Sequence, residues 1–201
     1  YSGQEFPEDI HPITQRAVQG LAGTGLIGVA KDNLPKRGIA PGLMISMAEI
    51  EVDLETGKYE ILDYVGVADC GTIIHPQGLS QQINGGGVWG FGMAGSERHV
   101  YDPQIALPAN LGMYQAKIPT ILDVPAEMLN GAVDIADPYN PAGGRRVGEP
   151  SQGSAVAAIT SAIADALDGH LFNRVPVTPD MIVNHATGAE QESKLLALNT
   201  F

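Results

Sequence analysis

Leu43-Met-Ile-Ser-Met-Ala-Glu-Ile-Glu-Val-Asp-Leu54 and Lys58-Tyr-Glu-Ile-Leu-Asp-Tyr-Val-Gly-Val-Ala68, with Glu55-Thr-Gly57 between them, decide the fold class. Apolar and polar residues alternate through both runs, the period of a half-buried strand, and the short gap contains the glycine a turn requires. The pair therefore reads as a long β-hairpin. Its alternation places Ile50 and Val52 on one face, with Tyr59 and Ile61, and Tyr64 as a further candidate, covering it from the partner strand. Such a hairpin is a scaffold; the chemistry is expected elsewhere.

Working outward, the second strand runs into Asp69-Cys-Gly-Thr-Ile-Ile-His-Pro76, a tight loop at a strand end. A helix follows from Gln77 to about Gly95, although it contains Gly85-Gly86-Gly87, and each glycine costs roughly 1 kcal/mol in a helix relative to alanine. Something must approach the backbone closely there: either a packed sheet or a bound cofactor. Short strands are expected at His99–Tyr101 and Ala132–Ile135, and a last strand or extended segment at Leu171–Val177, before Thr178-Pro179-Asp180 starts a turn or helix. Between them, Val156, Ile159, Ile163 and Leu167 recur at helical spacing in Ser151–Leu167. Pro150 favours the first helical position, which makes Glu149 the N-cap. A carboxylate there complements the helix dipole, and on a rigid element it is also well placed for catalysis.

These elements define an α+β fold with a mixed sheet, a long hairpin and packed helices. Residues 1–42 read as an N-terminal arm, a short helix over 13–22 and a linker. Residues 43–183 form the main domain, and residues 184–201 a weakly patterned tail.

The chain has 201 residues and a formal net charge of −12, with 11 lysines and arginines. Phosphate-backbone binding needs clustered cations, so nucleic acid is excluded as a partner class. The single cysteine, Cys70, excludes an internal disulfide and an iron–sulfur cluster ligated by this chain alone. No apolar run approaches the ~20 residues of a membrane span, and the N-terminal residues lack a secretory pattern, so a cytoplasmic protein is expected. The histidines at 11, 75, 99, 170 and 185 are too scattered for a metal site. P-loop, dinucleotide and nucleophile-elbow patterns are absent.

Four segments, in order, carry a resemblance. They are Ala48–Gly57; Asp69–Pro76 with Gln82 and Gly85-Gly86 after it; Lys117-Ile-Pro-Thr120 with Asp123-Val-Pro125; and Val147-Gly-Glu-Pro150. Over residues 43–183 the chain resembles the C-terminal part of the molybdenum-cofactor-binding large subunit of the xanthine dehydrogenase and aldehyde oxidase family. The resemblance implies an oxidoreductase that hydroxylates an aldehyde or N-heterocycle with water as the oxygen source, Glu149 being the general base beside the molybdenum. It further implies a molybdenum–molybdopterin cofactor, in some forms a dinucleotide, bound through Cys70, Gly71, Thr72, His75, Gln82, Gly85, Gly86 and Gly148. The metal's thiolates come from the pterin, so Cys70 is not a metal ligand and no residue of the chain is. Cys70 taken alone reads as a small buried residue.

The implied partners are the remainder of the large subunit, an iron–sulfur subunit, a flavin subunit carrying FAD, and a small-molecule substrate. His75, Arg145, Arg146, Gln152 and Ser154 depart from residues common in the family, and the upstream glycine-rich and glutamine-rich cofactor loops lie outside this chain. It cannot enclose the cofactor alone. Two rival readings are a non-catalytic scaffold or assembly subunit of the same family, and a small-ligand-binding domain.

Overall fold

The alternation of the hairpin translates directly into structure. A computed structural model describes residues 12–21, 41–102 and 104–191, and the chain divides into compact units of residues 1–38 and 39–201. In the first unit α1 spans Pro12–Leu21.

In the second, β1 (Leu43–Val52) and β2 (Tyr59–Asp69) pair antiparallel. The Asp53 carboxylate accepts hydrogen bonds from the Glu55 and Thr56 N–H groups at 2.9 and 3.3 Å, which closes the connection. Register shifts by one residue between Glu49↔Asp63 and Ile50↔Ile61, leaving Leu62 as the extra residue of a β-bulge. The bulge returns Tyr64 to the same covered face as Tyr59 and Ile61. Tyr64 is consequently only 2% exposed.

A third strand, β3 (Met128–Val133), runs parallel to β2, from Tyr64↔Met128 to Asp69↔Val133. It begins four residues before the expected Ala132–Ile135 strand and stops at Val133, because Asp134 turns away to accept the Ile73 N–H at 3.0 Å. The sheet is mixed, in the order β1-β2-β3.

The expected strand at His99–Tyr101 is instead a loop closed on itself. Asn110 accepts the Val100 N–H and donates to the Arg98 carbonyl, and only Tyr101 forms a bridge, to Pro108. Residues 171–177 form no strand either; the Val177 N–H is taken by the Ala94 carbonyl at 2.7 Å.

The helices are α2 (Pro76–Gly95), the single turn α3 (Met113–Ala116), α4 (Pro150–Ala166) and α5 (Pro179–Thr187). Helix α5 continues past residue 183 to Gly188, whose left-handed conformation stops it. Helices α2 and α4 lie side by side on one face of the sheet and run in the same direction: Gln82 lies by Gly148, Gly86 by Ser151 and Gly90 by Ala155.

The main core gathers Ile61, Tyr64, Phe91, Ile159, Ile163 and Ile182. Tyr64 meets Phe91 edge to face at 5.0 Å, a geometry worth ~0.5–1.5 kcal/mol beyond area burial. Ser46 ties the layers together through 2.8 Å hydrogen bonds with the Tyr64 hydroxyl and with Ser154. The opposite sheet face carries Leu43, Ile45, Met47 and Leu129, all exposed. No helix among the described residues is long and apolar enough to cross a membrane.

Candidate functional site

Strands β2 and β3 end together at Asp69 and Val133, and the loops leaving them lead to α2 and α4, whose starts are staggered: the beginning of α4 lies beside Gln82 and Gly86, about two turns into α2. The N-terminus of α4 thus opens beside the second turn of α2, and its dipole favours negative charge there.

Each helix begins differently. His75 caps α2, its Nδ1 accepting the Gly78 N–H at 2.7 Å, with Pro76 at the first helical position. Glu149 occupies the N-cap of α4 but makes no capping hydrogen bond with its side chain. The hydroxyl of Ser151, in the first turn, donates to the Gly148 carbonyl at 2.9 Å and lies 3.2 Å from the Gln82 carbonyl. The exposed Glu149 carboxylate therefore acts on its helix only through the helix dipole.

The glycine run divides into separate roles. A Cβ at Gly86 would stand 1.8 Å from the Ser151 hydroxyl, and one at Gly87 would meet the Tyr64 ring and Met128. Packing against α4 and the sheet therefore accounts for two of the three glycines. At Gly85 nothing lies within 4 Å, so the backbone there is open. Gly85 lies one turn beyond Gln82, which is exposed and sets its amide oxygen 3.9 Å from where a Cβ of Gly148 would be. Gln82, Gly85, Gly148 and Glu149 form one open surface.

The other expected cofactor contacts are engaged within the chain. Cys70 is 5% exposed, and burial pushes its thiol up, away from thiolate chemistry. The Gly71 N–H faces the Asp69 carboxylate and the Thr72 N–H donates to the Gly143 carbonyl at 2.8 Å. Gly71 pairs with Gly144, and its positive φ, with the Gly143 oxygen 2.2 Å from a would-be Cβ, admits only glycine.

Sequence reasoning missed what locks these loops together. Arg145 donates from Nη1 to Asp69 at 2.7 Å and from Nε to Asp137 at 2.6 Å, while its backbone N–H reaches the Cys70 carbonyl. Asp137 is 3% exposed, and the Arg145 guanidinium holds its carboxyl below the usual carboxylate range. The only signal was an arginine pair in an otherwise acidic chain. Of the other departures, Gln152 donates to the Met93 sulfur and Ser154 joins the Ser46 network.

The groups present suit an anionic, extended ligand: an amide at Gln82, a side-chain-free patch at Gly85 and the N-terminus of α4. No cluster of three or more His, Cys, Asp or Glu suited to a metal occurs among the described residues. A cleft of about 770 Å³ lies elsewhere, walled by residues such as Met93, Glu97, Arg98 and Arg174, with neither Gln82 nor Glu149 among them.

This chain belongs to the molybdopterin cofactor-binding domain family, whose model matches residues 25–125. It is 31% identical over 151 residues to the 6-hydroxypseudooxynicotine dehydrogenase complex subunit gamma of Paenarthrobacter nicotinovorans, covering 75% of this chain and 19% of that protein. It is 30% identical over 139 residues to the putative xanthine dehydrogenase molybdenum-binding subunit XdhA of Escherichia coli, covering 69% of this chain and 18% of that one.

Among solved structures, quinoline 2-oxidoreductase from Pseudomonas putida 86 aligns with a TM-score of 0.63 at 28% identity, over 70% of this chain and 18% of that one. The aldehyde oxidoreductase from Desulfovibrio gigas aligns with a TM-score of 0.63 at 29% identity, over 71% of this chain and 15% of that one. The chain spans less than a fifth of the length of these relatives.

Proposed function

We propose that this chain is the C-terminal part of the large subunit of a molybdenum hydroxylase, and that Glu149 is the general base in the hydroxylation of an aldehyde or N-heterocycle with oxygen from water. The observation that carries the reading is an exposed carboxylate at a rigid helix start that does not cap its helix and follows directly on Gly148, the residue that the Gln82 amide approaches.

A molybdenum–pterin group bound there supplies two-electron redox chemistry. The chain's own residues would then divide the remaining work. The Gln82 amide both donates and accepts, so it can orient a polar pterin edge. Gly85 admits a flat ligand against α2, and the N-terminus of α4 favours its phosphate, in either the mononucleotide or the dinucleotide form. An ionised Glu149 accepts a proton from an oxygen within hydrogen-bonding reach and holds it at its carboxylate, which a glutamine amide cannot do.

The assembly in this reading is cytoplasmic. It comprises the rest of the large subunit, an iron–sulfur subunit that receives electrons and a flavin subunit. General-base catalysis is worth ~10²–10⁴-fold, so Glu149→Gln in the complete assembly is expected to cut turnover by at least that factor while molybdenum and pterin stay bound. Normal turnover would refute the assignment. An assembly that lacks molybdenum altogether would favour the scaffold reading.

A further inference from the structure

We propose that Arg145 is a positioning residue that fixes the backbone from which Glu149 projects, an inference that rests on the general-base reading of Glu149. Its side chain is 19% exposed, and both Nε and Nη1 are committed to carboxylates, so it is not a group facing substrate. Those carboxylates belong to different segments: Asp69 ends β2, and Asp137 lies in the loop after β3. Only a planar fork with several donors can hold both at once.

The backbone follows the side chain. The Arg145 N–H bonds the Cys70 carbonyl at 2.6 Å, and the Gly143 carbonyl accepts from both Thr72 and Asp137 at 2.8 Å. Two residues on, Val147 packs into the small core of Ala68, Cys70 and Ile83. Beyond Glu149 the chain is pinned again, where Ser151 bonds the Gly148 carbonyl and fills the space at Gly86. The backbone of Glu149 is therefore held between two fixed points, Val147 before it and Ser151 after it. Removing the first point leaves the helix intact but frees the approach to the carboxylate.

The test is a double-mutant cycle in the complete assembly, read by turnover and by amide hydrogen exchange. Arg145→Met is expected to lower kcat about 10²-fold, the loss that an ångström-scale misplacement produces, with KM changed far less. It should speed exchange in residues 70–72 and 143–149 at least tenfold while the core of α4 stays protected. Arg145→Lys, which can satisfy one carboxylate, should recover part of both effects.

Because Arg145 acts through Glu149, Arg145→Met should cost nothing further in a Glu149→Gln background. An equal loss in both backgrounds, or unchanged exchange at 143–149, overturns the proposal. Wild-type turnover of Glu149→Gln alone would instead refute the general-base reading, whereas the exchange result reports on the clamp independently. If Arg145→Met does not fold, Asp69→Asn, which leaves the Asp137 contact, decides by the same exchange pattern at smaller amplitude.

Discussion

Alanine at Gly85 and alanine at Gly86 should change stability in opposite directions although the two positions are neighbours in one helix. Each substitution gains about 1 kcal/mol of helix propensity. At Gly85 the new methyl meets nothing within 4 Å, so that gain stands alone. At Gly86 it would sit 1.8 Å from the Ser151 hydroxyl and 2.7 Å from the Ser151 Cβ, and Ser151 is fully buried. Overpacking of this kind costs ~1–3 kcal/mol, here towards the upper end because both contacts sit on a packed helix start, so a net loss of about 2 kcal/mol remains.

For a domain of this size 1 kcal/mol moves Tm by ~2–4 °C. Thermal unfolding of the full chain should therefore show Gly85→Ala raised by about 2–4 °C and Gly86→Ala lowered by about 4–8 °C. Adding Ser151→Gly to Gly86→Ala should restore part of the loss. A Gly86→Ala protein as stable as Gly85→Ala would refute the close approach of α2 and α4, and with it the account of how Glu149 is held.

Three further outcomes follow from buried groups. Burial, reinforced by Asp123, pushes the Tyr59 hydroxyl up to about 12; in an ultraviolet titration Tyr59→Phe should remove the latest-ionising tyrosine, and loss of an earlier one would contradict this. Because the unfolded phenol ionises near pH 10, Tyr59 favours folding below that pH and the benefit is lost as pH rises through about 12. Cys70 should react with a thiol reagent at neutral pH far more slowly than a free thiol, and at the unfolded rate in denaturant; prompt labelling of the native chain would contradict its burial. His170 is held below the usual imidazole range by burial and by the stacked His185 at 3.8 Å, so the unfolded chain binds the extra proton. Its contribution is present above about pH 6.5 and is lost as pH falls; denaturant titrations at pH 7.5 and 5.5 should differ less for His170→Gln, and an unchanged difference would count against it.

The hairpin and α4 were legible because their signals are local, an alternation interrupted by a turn glycine and apolar residues at helical spacing, and α2 was legible in spite of its glycine run. What sequence could not show was non-local. The bulge at Leu62, which brings Tyr64 inward, depends on pairing with β1, and the start of β3 at Met128 depends on the parallel register with β2. At His99–Tyr101, apolar and aromatic residues suggested a strand, but Asn110 supplied side-chain hydrogen bonds that closed a loop instead. Glu149 and Gln82 were singled out as candidates through local motifs, yet the approach of Gln82 to Gly148 depends on two helices running in parallel. Arg145 was invisible as a clamp because both carboxylates it holds come from elsewhere in the chain.

The most direct test of the central claim is the location of molybdenum in crystals of the complete assembly, measured by anomalous scattering at its absorption edge. A peak is expected on the side of α4 facing Gln82 and Gly85, with the Glu149 carboxylate within hydrogen-bonding reach, ~3 Å, of an oxygen beside it. A peak remote from Glu149, for instance in the cleft walled by Met93 and Arg98, would contradict it.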